Sequence, residues 1–133
     1  MSLFATVPLH FRHFGDPTKP PAVLLHGLLG ASRNWQTVAR ELGGSFSVYA
    51  LDLRNHGESP HAEEMNYPVL AEDVRAFLAG ENLPPVHLLG HSMGGKTAMA
   101  VAVRWPEAVA DLPVVAIAPK AYSSHHREEF AAM

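Results

Sequence analysis

Val86-His87-Leu88-Leu89-Gly90-His91-Ser92-Met93-Gly94-Gly95-Lys96-Thr97 passes from an apolar run, through a glycine-punctuated turn, into an Ala-rich helical pattern. Residues 86–89 read as a strand, 90–95 as a tight turn, and 97–104 as a helix stopped by Trp105 and Pro106. Gly90-His91-Ser92-Met93-Gly94 fits G-x-S-x-G between strand and helix. A nucleophilic serine must leave a sheet sharply if its Oγ is to stand clear, and small residues two before and two after it permit that turn. A helix starting behind Ser92 brings unpaired N–H groups and a positive dipole end, so the Met93 N–H can help bind a developing oxyanion. The same residues, Gly90 to Thr97, also fit G-x-x-x-x-G-K-[ST], a phosphate-binding loop that likewise joins a strand to a helix. A glycine-rich turn without chemistry is the third reading.

The rest of the chain repeats the alternation of strand and helix. Residues 9–14 alternate weakly, as a strand does, and Gly15-Asp16-Pro17 turns the chain. Residues 22–25 are a continuous apolar run ending at His26-Gly27. Ser32 is expected to cap a helix through Leu42, with Trp35, Val38, Ala39 and Leu42 on one face. Residues 46–51 read as a strand closed by Asp52, followed by a polar loop to Glu64. Asn66 or Tyr67 opens the next helix, with Pro68 in its first turn and Leu70, Val74, Phe77 and Leu78 facing inward. Val114 to Ala118 is expected to be the last strand, with Asp111 at its opening end. Continuous apolar strands separated by helices predict an α/β fold, a mostly parallel sheet with helices on both faces. Active sites of such sheets lie at the carboxyl ends of the strands, where the segments after Leu25, Leu51 and Leu89 all fall.

His26-Gly27-Leu28-Leu29-Gly30 weighs between the readings of the serine turn. A nucleophilic serine needs a second oxyanion donor from a loop after another strand, and the Leu28 N–H is a candidate, whereas a phosphate loop has no use for it. The bulky His91 and Met93 would also obstruct a phosphate. In the polar loop, Asp52 and Arg54 are expected to brace one another. The 133 residues make one domain's length, and 47% apolar against 17% charged residues excludes a disordered chain. A net charge of −3 gives no basic field for nucleic acid. The absence of cysteine excludes disulfides and thiolate ligands. The histidines are scattered without a helical ligand pair, so no metal site is expected. No apolar stretch suits a membrane span and no secretory signal is visible, so the expectation is a soluble, cytoplasmic protein.

With HGLLG, DLRNHGESPH and GHSMGGKTAM in this order, the chain resembles the α/β-hydrolases. Its RNHG and GHSMGGKTAM elements are most similar to the small serine esterases that include bacterial acyl-ester hydrolases and their mitochondrial relatives. The resemblance implies that residues 1–133 are a single α/β-hydrolase domain, incomplete at its C-terminal end. It implies Ser92 as nucleophile, Leu28 and Met93 as oxyanion-hole donors, and His26 and His91 bordering the pocket. The substrate would be a small-molecule ester or thioester, attacked through an acyl-enzyme on Ser92 without a cofactor. The family's histidine base would lie beyond Met133, because family members are much longer than this chain. Ala116 stands where relatives carry the acid of a D-I-A-P run, and His125 and His126 read as solvated tail residues. The short chain is therefore expected to be a weak or inactive esterase. Two alternatives stay open: a non-catalytic half-domain that pairs with another chain, and a nucleotide-binding domain using Gly90 to Thr97. Val114 to Ala118, as an uncovered edge strand, would favour self-association.

Overall fold

The computed structural model of the chain describes residues 5–113. Strands β1 (Phe11–Phe14), β2 (Pro21–Leu25), β3 (Ser47–Leu51), β4 (Val86–Gly90) and β5 (Val109–Asp111) form one sheet in the order β1-β3-β2-β4-β5. β1 runs antiparallel to β3, and the other pairs are parallel. Helices α1 (Gln36–Leu42), α2 (Tyr67–Gly80) and α3 (Met93–Arg104) make the crossovers.

β2 is central and buried along its whole length, which is why its sequence is apolar without alternation. Val23 and Leu25 face a cluster built with Leu70, Val74 and Phe77 of α2 and Ala98 and Val101 of α3. Leu24 faces the other way, with Val48 and Ala50 of β3, against Trp35 and Ala39. Helices thus cover both faces, as the apolar pattern predicts. From β2 the chain goes to β3 on one side, and from β4 it goes to β5 on the other. The ends of β2 and β4 therefore flank the point where the winding reverses, and a crevice opens there in sheets of this kind.

Asn66 caps α2, its side chain accepting the Val69 N–H at 2.9 Å, and Pro68 sits in the first turn as expected. Other expectations need correction. Ser32 does not cap a helix: residues Ser32–Trp35 form a 3₁₀ turn, and α1 starts at Gln36. The buried Ser32 instead donates its N–H to the Asp52 carboxylate at 2.6 Å, a contact with a residue 20 positions away. Val38 is 40% exposed instead of packed inward. α3 starts at Met93, four residues before Thr97, because it runs against the end of β2 so closely that glycine is required there. Asp52 and Arg54 do not brace one another. The buried Arg54 guanidinium reaches back to Asp73 of α2, donating at 2.6 and 3.0 Å. β5 was not expected from the sequence; the strand expected at Val114 to Ala118, like Ala116, His125 and His126, falls outside the described residues.

Candidate active site

The β2–β4 ladder ends where Leu25 pairs Gly90, and the His91 N–H extends it by one bond to the Leu25 carbonyl at 3.1 Å. The chain then reverses through Ser92, at φ 56° and ψ −116°, a conformation in which a side-chain-bearing residue is strained. Gly90 and Gly94 make the reversal feasible. A Cβ on Gly90 would overlap the Gly94 carbonyl, and one on Gly94 would overlap the Leu25 carbonyl and lie 2.6 Å from that of His26. Met93 opens α3 directly behind the serine, so the positive end of the helix lies beside it.

The loop after β2 comes up against the same point. A Cβ on Gly27 would stand 3.3 Å from Ser92 Cβ and 3.1 Å from His91 Nδ1. The Gly27–Leu28 peptide, which carries the Leu28 N–H, therefore lies beside Ser92. A hollow of about 440 Å³ adjoins it, lined by His26, His91, Leu28, Leu29, Trp35 and Val38 among others. The fold thus brings Ser92, Met93, Leu28, His26 and His91 close to one another at the ends of β2 and β4.

The phosphate-loop geometry is not adopted. The N–H groups of His91, Gly94 and Lys96 are spent on the carbonyls of Leu25, His91 and Ser92. The Lys96 ammonium lies 5.7 Å from the centre of the Tyr67 ring.

Two histidines beside the hollow are tied into the backbone. His26 is 1% exposed; its Nε2 accepts the Leu53 N–H at 3.0 Å, so Nδ1 carries the proton and donates to the Gly27 carbonyl at 2.7 Å. Burial pulls its pKa below the ordinary histidine value. His56 Nε2 accepts the Leu29 N–H at 3.1 Å, and Nδ1 donates to the Arg54 carbonyl at 2.9 Å. Asp52 adds a third tie, accepting the N–H groups of Ser32 at 2.6 Å and Glu58 at 3.0 Å and a hydrogen bond from His10 at 2.8 Å. Burial alone would raise the Asp52 carboxyl, but these donors outweigh it and hold its pKa below the usual carboxylate value.

Each residue of Arg54-Asn55-His56-Gly57 has a separate part in this loop. Arg54 anchors it to α2, and Asn55 turns it at φ 67°. Gly57, at φ 53°, clears the Asp52 carboxylate, against which any Cβ would collide. The only local sign of the part His56 plays is its place between Asn55 and Gly57, two residues prone to positive φ. His10 and Glu58 approach Asp52, so that one ligand atom from each lies within 4.8 Å of the others. Asp111 pairs with His87 at the start of β4, the end of the sheet opposite Ser92, consistent with its expected place.

Among the described residues, no helix is long and apolar enough to cross a membrane. A family model described as the alpha/beta hydrolase fold matches residues 20–131. The chain is 48% identical over 107 residues to an sn-1-specific diacylglycerol lipase of Xenopus laevis, covering 79% of this chain and 34% of that protein. It is 38% identical over 101 residues to an ethanol acetyltransferase of Cyberlindnera fabianii, covering 74% of this chain and 30% of that one. Among solved structures, a marine microorganism esterase superposes with a TM-score of 0.83 at 43% identity, over 96% of this chain and 51% of that chain. The chain spans about a third of the length of these curated relatives. The strand order, the reversal at Ser92 and the extent of these matches lead to one conclusion: this chain belongs to the alpha/beta hydrolase fold family.

Proposed function

We propose that the chain carries the nucleophile and oxyanion donors of a serine enzyme that takes an acyl group from a carboxylic ester or thioester. Ser92 Oγ attacks the carbonyl carbon and gives up its proton to a base. The carbonyl oxygen, now an oxyanion, is held by the Leu28 and Met93 N–H groups. Collapse of the tetrahedral adduct expels the alcohol or thiol, which takes up the proton, and leaves the acyl group on Ser92. Water then releases the acid. His26 and His56 do not serve as base, because both nitrogens of each ring are engaged.

The observation that carries this reading is the placement of Ser92 at the winding reversal, at positive φ, with the Gly27–Leu28 peptide against it. The similarity to a diacylglycerol lipase and to a solved esterase supports an ester as acyl donor. The similarity to an ethanol acetyltransferase supports a second reading, in which an alcohol replaces water as acyl acceptor.

The test combines covalent labelling by a fluorophosphonate with hydrolysis of a short-chain aryl ester, for the 133-residue chain and its Ser92→Ala variant. The expected result is labelling and slow turnover, both dependent on Ser92. Labelling and turnover unchanged in Ser92→Ala would refute the assignment. Product analysis with ethanol present separates the acceptors: ethyl ester would favour transfer, free acid alone hydrolysis.

A further inference from the structure

Resting on the acyl-transfer reading, we infer that His26 is the positioning residue of the Leu28 oxyanion donor, because it holds the opposite edge of the peptide that carries that N–H. The loop after β2 can press on Ser92 only because residue 27 is glycine. An added Cβ would stand 3.1 Å from His91 Nδ1 and 3.3 Å from both the His91 carbonyl oxygen and Ser92 Cβ. Glycine also leaves the plane of the peptide that follows it freer to turn than another residue would. In a trans peptide the carbonyl and the N–H point in opposite directions, and no peptide among the described residues is cis. Whatever holds the Gly27 carbonyl therefore aims the Leu28 N–H.

His26 Nδ1 donates to that carbonyl at 2.7 Å. The Gly30 N–H reaches the same oxygen at 3.0 Å, but it belongs to the same loop and moves with it. The imidazole is anchored outside the loop. Its Nε2 accepts the Leu53 N–H at 3.0 Å, from the segment after β3, and the ring is buried. That bond also decides the tautomer: with Nε2 accepting, the proton of the neutral ring sits on Nδ1, facing the Gly27 carbonyl. The Leu28 N–H itself has no hydrogen-bond partner among the described residues, so its direction is set from the carbonyl edge of its peptide. A misplacement of about 1 Å at a reacting centre costs on the order of 10²-fold in rate.

The experiment compares wild type, His26→Asn, His26→Gln and Ser92→Ala as full chains. The amide nitrogen of asparagine reaches as far along the side chain as Nδ1, and the amide group of glutamine as far as Nε2. His26→Asn therefore keeps a donor for the Gly27 carbonyl and loses the acceptor for Leu53, and His26→Gln does the reverse. Each variant gives up one hydrogen bond, so a role in stability alone lowers kcat alike in the two. The readouts are kcat and KM for Ser92-dependent aryl-ester turnover, with urea unfolding to show that both variants are folded. His26→Gln should lower kcat by about 10-fold to 10²-fold with KM nearly unchanged, because the oxyanion develops only towards the transition state. His26→Asn should recover most of kcat. Equal kcat in the two variants, or a loss confined to His26→Asn, would overturn the inference. A second readout needs no variant: the ring-nitrogen NMR shifts of wild-type His26 should report the Nδ1–H tautomer, and the Nε2–H tautomer would overturn the inference as well. Turnover that Ser92→Ala does not lower would sink the acyl-transfer reading and this inference with it, whereas failure of the inference alone leaves the Ser92 dependence in place.

Discussion

Replacing Gly94 by alanine adds one methyl group at the point where α3 meets the end of β2. That methyl would lie 2.6 Å from both the Leu25 carbonyl carbon and the His26 carbonyl oxygen, and nearer still to the Leu25 oxygen. Ordinary C···O contacts run at about 3.3–3.6 Å, so the helix start must retreat by close to 1 Å. The obstacles are backbone atoms of the central strand, so no side chain can rotate aside. Retreat also pulls on the bond from the His91 N–H to Leu25. Overpacking of this kind costs about 1–3 kcal/mol, and one weakened backbone bond about 1 kcal/mol more. The expected loss is therefore about 3 kcal/mol, near the upper part of that range because the clash is with backbone. Gly80→Ala is the control: nothing lies within 4 Å of its added Cβ, at the last residue of α2, so it should be neutral or stabilise by up to about 1 kcal/mol. Urea unfolding, with m unchanged, gives both values. A Gly94→Ala protein within about 1 kcal/mol of wild type would show that the close approach of α3 to β2 is wrong.

Arg54→Met should cost about 3–5 kcal/mol, because it strands the buried Asp73 carboxylate, and Arg54→Met/Asp73→Leu should recover much of the loss; a double variant as unstable as the sum of the singles would contradict this. His26 makes stability pH-dependent: its folded pKa lies below the ordinary 6.5, so its full contribution is present above that value and declines as pH falls below it, while the unfolded chain takes up the proton first. The slope contributed is at most about 1.4 kcal/mol per pH unit, and it should flatten in His26→Gln; equal urea midpoints' pH dependence in both proteins would exclude it. Asp52 acts in a lower window, its contribution being present above 3.8 and lost as pH falls towards its depressed folded value, so Asp52→Asn should blunt acid unfolding there. Asn66→Ala should lower stability by about 1 kcal/mol through the lost cap of α2, read from the same urea curves. Micromolar ATP binding abolished by Lys96→Ala would refute the assignment of residues 90–97 to a serine turn.

What the sequence determined by itself was whatever depends on neighbours along the chain. Apolar runs without alternation marked β2 and β3 as strands covered on both faces. Asn66 and Pro68 marked the start of α2, because capping and a missing N–H are local matters. The G-x-S-x-G spacing specified the reversal at Ser92, because the steric demand there is met two residues either side. What only the tertiary structure decided was which polar group meets which, because the strand order brings together residues far apart in the chain. Ser32 looked like a cap until the sheet placed it against Asp52, and Arg54 looked paired with Asp52 until α2 offered Asp73. Gly94 and Gly95 argued by propensity against a helix, yet α3 includes both, since contact with β2 outweighs their conformational cost. His56 and Leu29 stand 27 residues apart, and no local pattern couples them. They meet because the loops after β2 and β3 emerge side by side from adjacent parallel strands.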